Sequence, residues 1–453
     1  VSDSAAAVGS AAVIATSTAT IQGNGGDNVF DIMLSSGTVD GLGGNDIYNI
    51  LDGAPKILGV NTGDAIVVNS EASVEIVLVK DFIATSATSN LGLFTIETDS
   101  TGGTISMANA SGIFTMKGQS GDDWLIGGGG ADIIDGGSGV DTLDGGIGDD
   151  TIFGGSGDDI ITISNSGEAN NDTIDGGSGT DVIKLSSSGV DTFASNSKLI
   201  NIEILEANSA GSTLVLSGQT ESFTVKGGDG VDTITGGSGA DTISTGGGSD
   251  IVYSGGGADI ISLGSGNDIF VITTSGQADG DVIDGGVGTD TVRLSNGTVD
   301  TFSNNNSLVE IEIIQAHASG STVILTGQTE AFTISGGVSI DNITGGEGID
   351  TISGGGGSDI IFGGSGDDII VISTSGEADS DTIDGGSGSD VLKLSTGGVD
   401  DLSNNSRLVN IETVQSHASG STVILTGQTE GFSIIGNTGI DNITGSDGAD
   451  IIT

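Results

Sequence analysis

Residues 127–162 read GGGGADIID GGSGVDTLD GGIGDDTIF GGSGDDIIT. Each nine-residue word begins with glycines, has an aspartate in sixth place and has an apolar residue in eighth place. Such a word supplies a short strand and a tight turn, so two words make one 18-residue coil with strands on opposite sides. The pattern predicts an all-β fold, a parallel β-solenoid with almost no helix. The inward-facing residues are the eighth-place ones, Ile134, Leu143, Ile152 and Ile161.

The composition fits a repetitive chain better than an ordinary globular core. The 453 residues include 84 glycines but only 12 Phe, one Trp, one Pro and no Cys. This balance favours many short strands joined by turns, without disulfides. The formal net charge of −53 opposes compaction unless cations neutralise it. It also excludes nucleic acid as a partner, because phosphate binding needs clustered Lys and Arg.

The sixth-place aspartates recur in arrays. The spacing is nine residues within an array, and a step of thirteen residues precedes the last two aspartates of each complete array. The members are Asp123, Asp132, Asp141, Asp150, Asp159, Asp172 and Asp181; Asp232, Asp241, Asp250, Asp259, Asp268, Asp281 and Asp290; Asp341, Asp350, Asp359, Asp368, Asp381 and Asp390; and Asp441 and Asp450 of an unfinished array.

A longer period lies over the short one. The arrays start 109, 109 and 100 residues apart, and the difference of nine is one word. A word that can be lost without disturbing its neighbours indicates a quasi-one-dimensional solenoid. The linkers, such as GSTVILTGQTEAFTISGG from residue 320, alternate apolar and polar residues and predict further strands. The predicted divisions are a divergent region 1–117 with degenerate words around Asp27 and Asp46, repeat units 118–226, 227–335 and 336–435, and the start of a further array, 436–453.

The stacked coils predict metal binding at the turns. Because two words make a coil, the aspartate of one word lies below that of the next word but one. Carboxylates about 5 Å apart repel unless a cation lies between them. A cage of carboxylates and turn carbonyls suits Ca²⁺, which takes 6–8 oxygen ligands. Asp123, Asp141 and Asp159 are therefore expected along one edge, and Asp132 and Asp150 along the other.

The words GGSGVDTLD (136–144) and GGIGDDTIF (145–153) resemble the GGxGxDxUx repeat of RTX (repeats-in-toxin) proteins. The resemblance implies a calcium-folded parallel β-roll that a Gram-negative cell secretes unfolded. It also implies calcium ligands: the aspartates given above and turn carbonyls, for which we nominate Gly128, Gly130, Gly137 and Gly139. The pattern is broken at the array edges by Gln119, Ser339 and Asn437.

The thirteen-residue steps contain ISNSGEANNDTID and its two relatives. The simpler interpretation is a four-residue bulge in one turn. The alternative is a separate surface calcium site that uses Glu168, Asp279 or Glu377, although Gln277 replaces the glutamate in the second array.

Two other sets of residues recur at the unit period. His317 and His417 both lie in HASGSTVIL, with Asn208 at the equivalent place, and we interpret them as surface or turn residues. A recurrent glutamate is interpreted as an outward strand carboxylate or a turn cap, not as a catalytic group: Glu203, Glu312 and Glu412.

The chain has no nucleophile elbow, HExxH zinc motif or phosphate loop, so it is not predicted to be an enzyme. The first hypothesis is a secreted calcium-binding structural protein that self-associates into a surface layer, matrix fibre or adhesive filament on or near the cell surface. The alternative is a calcium-folding module of a larger secreted enzyme, toxin or adhesin.

The two ends of the chain bear on this choice. Residues 1–20 lack the length of apolar sequence for a membrane span and the basic start of a secretory signal. They are interpreted as a flexible tail or as a strand donated to a neighbouring subunit. The chain starts with Val and stops within the word GADIIT, so a processed product or an excised segment is expected.

Overall fold

The computed structural model describes residues 20–453, except 24, 35–37, 43, 54, 59, 61–62, 71, 80, 194–197, 298, 303–306 and 404–406. The interpretation of the N-terminal tail falls almost entirely outside the described residues. The chain forms two compact units, Val1–Lys226 and Gly227–Thr453. The predicted boundaries of the repeat units stay predictions.

The N-terminal unit alternates along the chain between parallel sheets. One sheet has ten described strands: Thr20–Gln22, Thr38–Asp40, Lys56–Leu58, Ser73–Val79, Leu93–Thr98, Thr115–Lys117, Ile133–Ser138, Thr151–Ser156, Thr173–Ser178 and Leu199–Ile200. The intervening strands form two successive sheets. The first holds Val29–Leu34, Ile47–Gly53, Ala65–Val68 and Ser89–Asn90; the second holds Asp81–Ile83, Thr104–Ser106, Trp124–Ile126, Thr142–Asp144, Ile160–Ile163, Val182–Leu185, Ile204–Glu206 and Thr224–Gly228. A further pair is Val190–Thr192 with Thr213–Val215.

The C-terminal unit repeats this alternation. One row of parallel strands holds Thr233–Thr235, Ile251–Tyr253, Ile269–Ile272, Thr291–Leu294, Ile313–Gln315, Thr333–Ser335, Thr351–Ser353, Ile369–Ile372, Val391–Leu394, Thr413–Gln415, Ser433–Ile435 and Ile451–Ile452. The intervening strands fall into three groups: Thr242–Gly246, Ile260–Ser262, Val282–Asp284 and Leu308–Val309; Val299–Thr301, Thr322–Ile324, Asn342–Thr344, Ile360–Ser365, Thr382–Ser387 and Leu408–Val409; and Val399–Asp401, Thr422–Ile424 and Asn442–Thr444. Ser265–Gly266 pairs with Val287–Gly288 at a turn.

The strand register confirms the predicted coil. Trp124 pairs with Thr142, and Thr142 with Ile160, so one coil takes two words of the repeat. Across the thirteen-residue step, Thr151 pairs with Thr173, so the coil lengthens there to hold the inserted segment. The eighth-place residues point inward as predicted, and Ile134, Leu143, Ile152 and Ile161 are all fully buried.

The linkers continue the solenoid, as predicted, but they also branch. In the first linker, Leu199–Ile200 ends the ten-stranded sheet, whereas Val190–Thr192, which comes earlier in the chain, pairs forward with Thr213–Val215. The second and third linkers repeat this arrangement. Each linker therefore contains a strand that closes one row and a strand that opens another, and the nine-residue spacing gave no signal for the extra strand.

Helical structure is limited, in the described part of the chain, to two single 3₁₀ turns, Glu168–Asn170 and Glu377–Asp379. Both lie in thirteen-residue steps, so the predicted bulge is confirmed and takes this form in the first and third arrays. No helix of the described residues has the length and apolar character needed to span a membrane.

Candidate metal centres

The sixth-place aspartates form hydrogen-bonded ladders at the turns. The backbone N–H of Asp123 donates to Oδ1 of Asp141 over 2.8 Å, and the N–H of Asp141 donates to Oδ1 of Asp159 over 2.8 Å. On the other edge, the N–H of Asp132 donates to Oδ1 of Asp150 over 2.7 Å. The predicted two-edge register is therefore confirmed, and the same bond joins successive coils in the later arrays.

Almost all of the nominated aspartates lie inside the turns. Asp441 and Asp450 are half-buried. The others are at most 3 % exposed. These are Asp123, Asp132, Asp141, Asp150, Asp159, Asp172, Asp181, Asp232, Asp241, Asp250, Asp259, Asp268, Asp281, Asp290, Asp341, Asp350, Asp359, Asp368, Asp381 and Asp390.

The glycines of a word have different structural roles, as the word 136–144 shows. A Cβ on the first-place Gly136 would lie 2.5 Å from Oδ2 of Asp141 and 2.6 Å from the carbonyl oxygen of Gly154 in the next coil. The second and fourth places, Gly137 and Gly139, have φ values of +97° and +139°, which other residues rarely adopt. The first glycine thus makes room for the ladder, and the other two shape the turn.

Two classes of turn can be distinguished by the second-place residue and by Oδ2. In an open turn the second-place residue has positive φ, as Gly137 and Gly155 do. Among the described residues, the buried Oδ2 of the aspartate, as in Asp141 and Asp159, then has no hydrogen-bond donor. Open turns contain Asp123, Asp141, Asp150, Asp159, Asp181, Asp250, Asp259, Asp268, Asp290, Asp359, Asp368 and Asp390.

In a closed turn, the second-place N–H donates to Oδ2 of the aspartate four residues later. The N–H of Gly128 donates to Oδ2 of Asp132 over 2.8 Å, and neither Gly128 nor Gly130 has positive φ. Closed turns occur near the starts of arrays and contain Asp132, Asp232, Asp241, Asp341, Asp350, Asp441 and Asp450. The remaining three, Asp172, Asp281 and Asp381, follow the thirteen-residue steps.

The open turns have the chemistry of a calcium site. A buried carboxylate oxygen without a donor is costly unless a cation or another partner satisfies it. Within the described residues, no three acidic or histidine side chains converge as a metal-binding group. We therefore expect the other ligands of an ion to be mainly backbone carbonyls, such as those of Gly137 and Gly139, which lie against the corresponding glycines of the next coil. Carboxylate and carbonyl oxygens are the ligands that Ca²⁺ prefers.

The comparison with known families agrees with this geometry. The family model described as "RTX calcium-binding nonapeptide repeat (4 copies)" matches residues 115–143, 135–162, 166–184, 226–261, 236–270, 335–370, 375–397 and 433–453. The chain therefore contains RTX calcium-binding nonapeptide repeats in several copies. No curated protein matched the chain.

RTX repeats bind calcium, so the predicted cofactor, several Ca²⁺ ions, is confirmed. The ligand role of each nominated residue stays a prediction. Gly137 and Gly139 belong to an open RTX turn, whereas Gly128 and Gly130 belong to a closed one. The carbonyl oxygen of Gly128 already accepts the N–H of Ile147 over 2.8 Å.

Burial raises the pKa of many of the buried ladder carboxyls. The pKa is raised to about 7 in Asp141 and Asp150 and to about 6 in Asp132. For Asp141, desolvation is the largest cause, the N–H of Asp123 opposes it, and the neighbouring carboxylates Asp159 and Asp123 add to it. A bound divalent cation would supply the positive charge that these groups lack.

The recurrent glutamates extend the RTX ladders. The Oε2 atoms of Glu203, Glu312 and Glu412 accept the N–H groups of Asp181, Asp290 and Asp390 over 2.8, 2.7 and 2.7 Å. A glutamate therefore takes the place of the next aspartate where each of these ladders ends. From the sequence alone, an outward strand carboxylate or a turn cap is expected at these three positions. The available signal for a ladder position was their constant distance along the chain from the last aspartate of each array, which equals the length of the longer coil.

The divergent region also contains a ladder, at positions that the sequence located only in part. The N–H of Asn28 donates to Oδ1 of Asp46 over 2.8 Å, and the N–H of Asp46 donates to Oδ1 of Asp64 over 2.7 Å. The ladder residue of the first word is thus Asn28 and not Asp27. The Tyr48 hydroxyl lies 3.4 Å from Oδ2 of Asp46 as a donor. A neutral donor here occupies the oxygen that is unpartnered in an open RTX turn.

The histidines are turn residues, as predicted. Nδ1 of His317 is 2.7 Å from Oγ of Ser319 and accepts the Ser319 N–H over 3.2 Å. His417 repeats these contacts with Ser419. Asn208 accepts an N–H two residues later in the same way.

Proposed function

We propose that this RTX-repeat protein is a secreted structural component that calcium folds into a stiff solenoid and that self-associates into an extracellular layer, fibre or filament. The observation that carries the proposal is the use of the buried carboxylates. Each ladder carboxylate joins one coil to the next, as Asp141 joins the coil of Asp123 to its own. The chemistry of the arrays thus serves to build an extended scaffold, and the protein is proposed to be non-catalytic.

Exposed apolar side chains on the strands support self-association. Phe153 and Phe362 hold the same place in the first and third arrays and are 40 % and 41 % exposed. Ile360 lies in the same strand as Phe362 and is 39 % exposed. Ile133 lies in the strand that pairs with the strand of Phe153, and it is 44 % exposed. The strand surface around Phe153 and the strand surface around Phe362 are therefore each apolar enough for a second copy of the chain to cover.

The test is electron microscopy of the purified chain at about 5 mM calcium, the millimolar range of extracellular calcium modules, with an EGTA-treated control. Ordered fibres or sheets that need calcium are expected. The double variant Phe153→Asp/Phe362→Asp should lose them while its far-UV circular dichroism is retained. Ile147→Asp is the matched control, because Ile147 is 67 % exposed on a turn and not on a strand face.

Separate short rods at every calcium and protein concentration would contradict the structural proposal. That outcome would favour the other candidate function, a calcium-folding module of a larger secreted enzyme, toxin or adhesin. Fibres that persist in the double variant would keep the proposed function but exclude the strand faces as the contact surface.

A further inference from the structure

A second pair of acidic residues lies at the thirteen-residue step of the first array and of the third array, away from the ladders. We call residues 164–172, 273–281 and 373–381 the insertion turns. In the first of them, Oε2 of Glu168 accepts the N–H of Asn165 over 2.8 Å. Asp191, from the branching strand of the linker, accepts the N–H of Gly167 through Oδ1 over 2.8 Å. The two carboxylates therefore flank one short segment of backbone.

Asp191 occupies an unusual place for a charged residue. It is the central residue of the strand Val190–Thr192 and pairs with Leu214, a core position. It is 1 % exposed, and its Oδ2 has no hydrogen-bond donor among the described residues. Oε1 of Glu168 is likewise buried without a donor. Two buried carboxylate oxygens without hydrogen-bond partners at one turn are destabilising unless a cation binds between them.

The third array repeats this arrangement. Oε2 of Glu377 accepts the N–H groups of Ser373 and Thr374 over 2.9 and 2.7 Å, and Oδ1 of Asp400 accepts the N–H of Gly376 over 2.9 Å. Glu377 and Asp400 are 8 % and 1 % exposed. In the part of the chain that the structure describes, the second oxygen of each, Oε1 and Oδ2, again has no partner within hydrogen-bond geometry. The pattern matches that of an open turn, where one carboxylate oxygen accepts an N–H and the other carboxylate oxygen is buried without a hydrogen-bond donor among the described residues.

The second array differs in one group. Oε1 of Gln277 accepts the N–H and the hydroxyl of Thr273, each over 2.8 Å. Oε1 of Gln277 thus accepts hydrogen bonds from the start of the insertion turn, as Oε2 of Glu377 does in the third array. The amide of Gln277 has an NH₂ group in place of the second carboxylate oxygen, and an NH₂ group donates hydrogen bonds and cannot bind a cation.

We propose that the insertion turns of the first and third arrays each bind an additional Ca²⁺ ion, between Glu168 and Asp191 and between Glu377 and Asp400, and that Gln277 abolishes this site in the second array. The remaining ligands are backbone carbonyls and water, since no third acidic or histidine side chain completes a metal-binding group among the described residues.

The surroundings of the first insertion turn are consistent with this site. Desolvation raises the pKa of Glu168, and the nearby carboxylates Asp144 and Asp191 raise it further. Nζ of Lys198 donates to the carbonyl oxygen of Asn171 in the same insertion turn over 2.6 Å, and among the described residues no ion pair joins it to Glu168 or Asp191. Negative charge therefore accumulates at the turn, and a divalent cation balances two carboxylates at once.

The test is native mass spectrometry of the full chain titrated with calcium acetate, which resolves whole numbers of bound ions. The double variant Glu168→Gln/Glu377→Gln is expected to bind two ions fewer than the parent chain, and Gln277→Glu one ion more. Glu347→Gln is the control for the loss of one carboxylate elsewhere, since Glu347 is an exposed residue outside the insertion turns, and it is expected to leave the ion count unchanged.

An unchanged ion count in both the double variant and Gln277→Glu would overturn the proposal. The natural glutamine of the second array indicates that glutamine fits this turn, and far-UV circular dichroism checks the fold of each variant. If the double variant does not fold, the gain of one ion in Gln277→Glu still decides the question, because that change adds a carboxylate and removes none.

Discussion

The division into open and closed turns predicts which aspartates couple folding to calcium. Replacing Asp141 by asparagine keeps Oδ1, which accepts the N–H of Asp123 over 2.8 Å, but replaces the unpartnered Oδ2 by an NH₂ group. Replacing Asp132 makes the same chemical change in a closed turn, where Oδ2 accepts the N–H of Gly128 over 2.8 Å. The two variants have the same change of charge, so each is the control for the other.

The expected magnitudes differ in kind. A site that binds only the folded state adds RT ln(1 + [Ca²⁺]/Kd) to stability, so each ion contributes about 1.4 kcal/mol per tenfold rise in free calcium once the site is nearly saturated. Asp141→Asn should reduce this slope by about 1.4 kcal/mol per tenfold rise in free calcium for each ion lost. Asp141 has ladder neighbours on both sides, Asp123 and Asp159, so more than one ion can be affected. Asp132→Asn should cost about 1.5–3 kcal/mol through its lost hydrogen bond at every calcium concentration.

The assay is urea unfolding followed by circular dichroism at about 1, 3 and 10 mM free calcium, around the range of extracellular calcium modules. The free energy of unfolding is plotted against the logarithm of free calcium for the parent chain and both variants. Parallel lines for the parent and Asp141→Asn would refute the assignment of calcium to the open turns. A reduced slope for Asp132→Asn would refute the distinction between the two classes.

Three further outcomes are expected. Chelation by EGTA should unfold the arrays, and an unchanged far-UV spectrum would contradict the role of calcium in folding. Gly137→Ala should destabilise the calcium-bound chain by more than about 1 kcal/mol, because Gly137 has φ of +97° and a Cβ would meet the carbonyl oxygen of Gln119, whereas Gly129→Ala, with nothing within 4 Å, should be nearly neutral in the same melts. Burial raises the pKa of Asp141 and Asp381 to about 7 in the calcium-free fold, so their contribution favours folding below the unfolded value and is lost as the pH rises through 7. Acidification from about pH 8 to pH 5 should therefore compact the calcium-free chain in small-angle scattering, and expansion would contradict this.

The sequence predicted the coil because the coil is set by local rules. A nine-residue period with one apolar triplet fixes the strand, its inward residue and the pairing of alternate words, so Ile134 and Leu143 could be placed in the core directly. The aspartate ladder followed from the same arithmetic. Because strands pair at a constant interval along the chain, each coil contacts mainly its neighbouring coils, and its structure follows from the repeat itself.

The parts that the sequence did not predict depend on contacts between segments with different periods. The strand Val190–Thr192 pairs forward with Thr213–Val215, and its central Asp191 has the place of a core residue, which a hydrophobic pattern cannot indicate. The recurrence of VD at 190, 299 and 399 was the available signal. Closed turns were also missed, because GGGGAD before Asp132 differs little in sequence from GGIGDD before Asp150, although their backbones differ at Gly128 and Gly146.

The direction of the ladders gives the closed and open turns complementary roles. In every ladder bond the N–H of one coil donates to the carboxylate of the following coil, as from Asp123 to Asp141. A closed turn satisfies Oδ2 of its aspartate by its own backbone, as at Asp350 through Gly346, so we expect it to fold without an ion. An open turn leaves a buried carboxylate oxygen without a donor, and, near neutral pH and above, its negative charge is balanced best by an added cation. We therefore expect calcium to act mainly at the open turns, which extend to the array ends at Asp181, Asp290 and Asp390, whereas closed turns near the array starts hold their carboxylates through their own backbone.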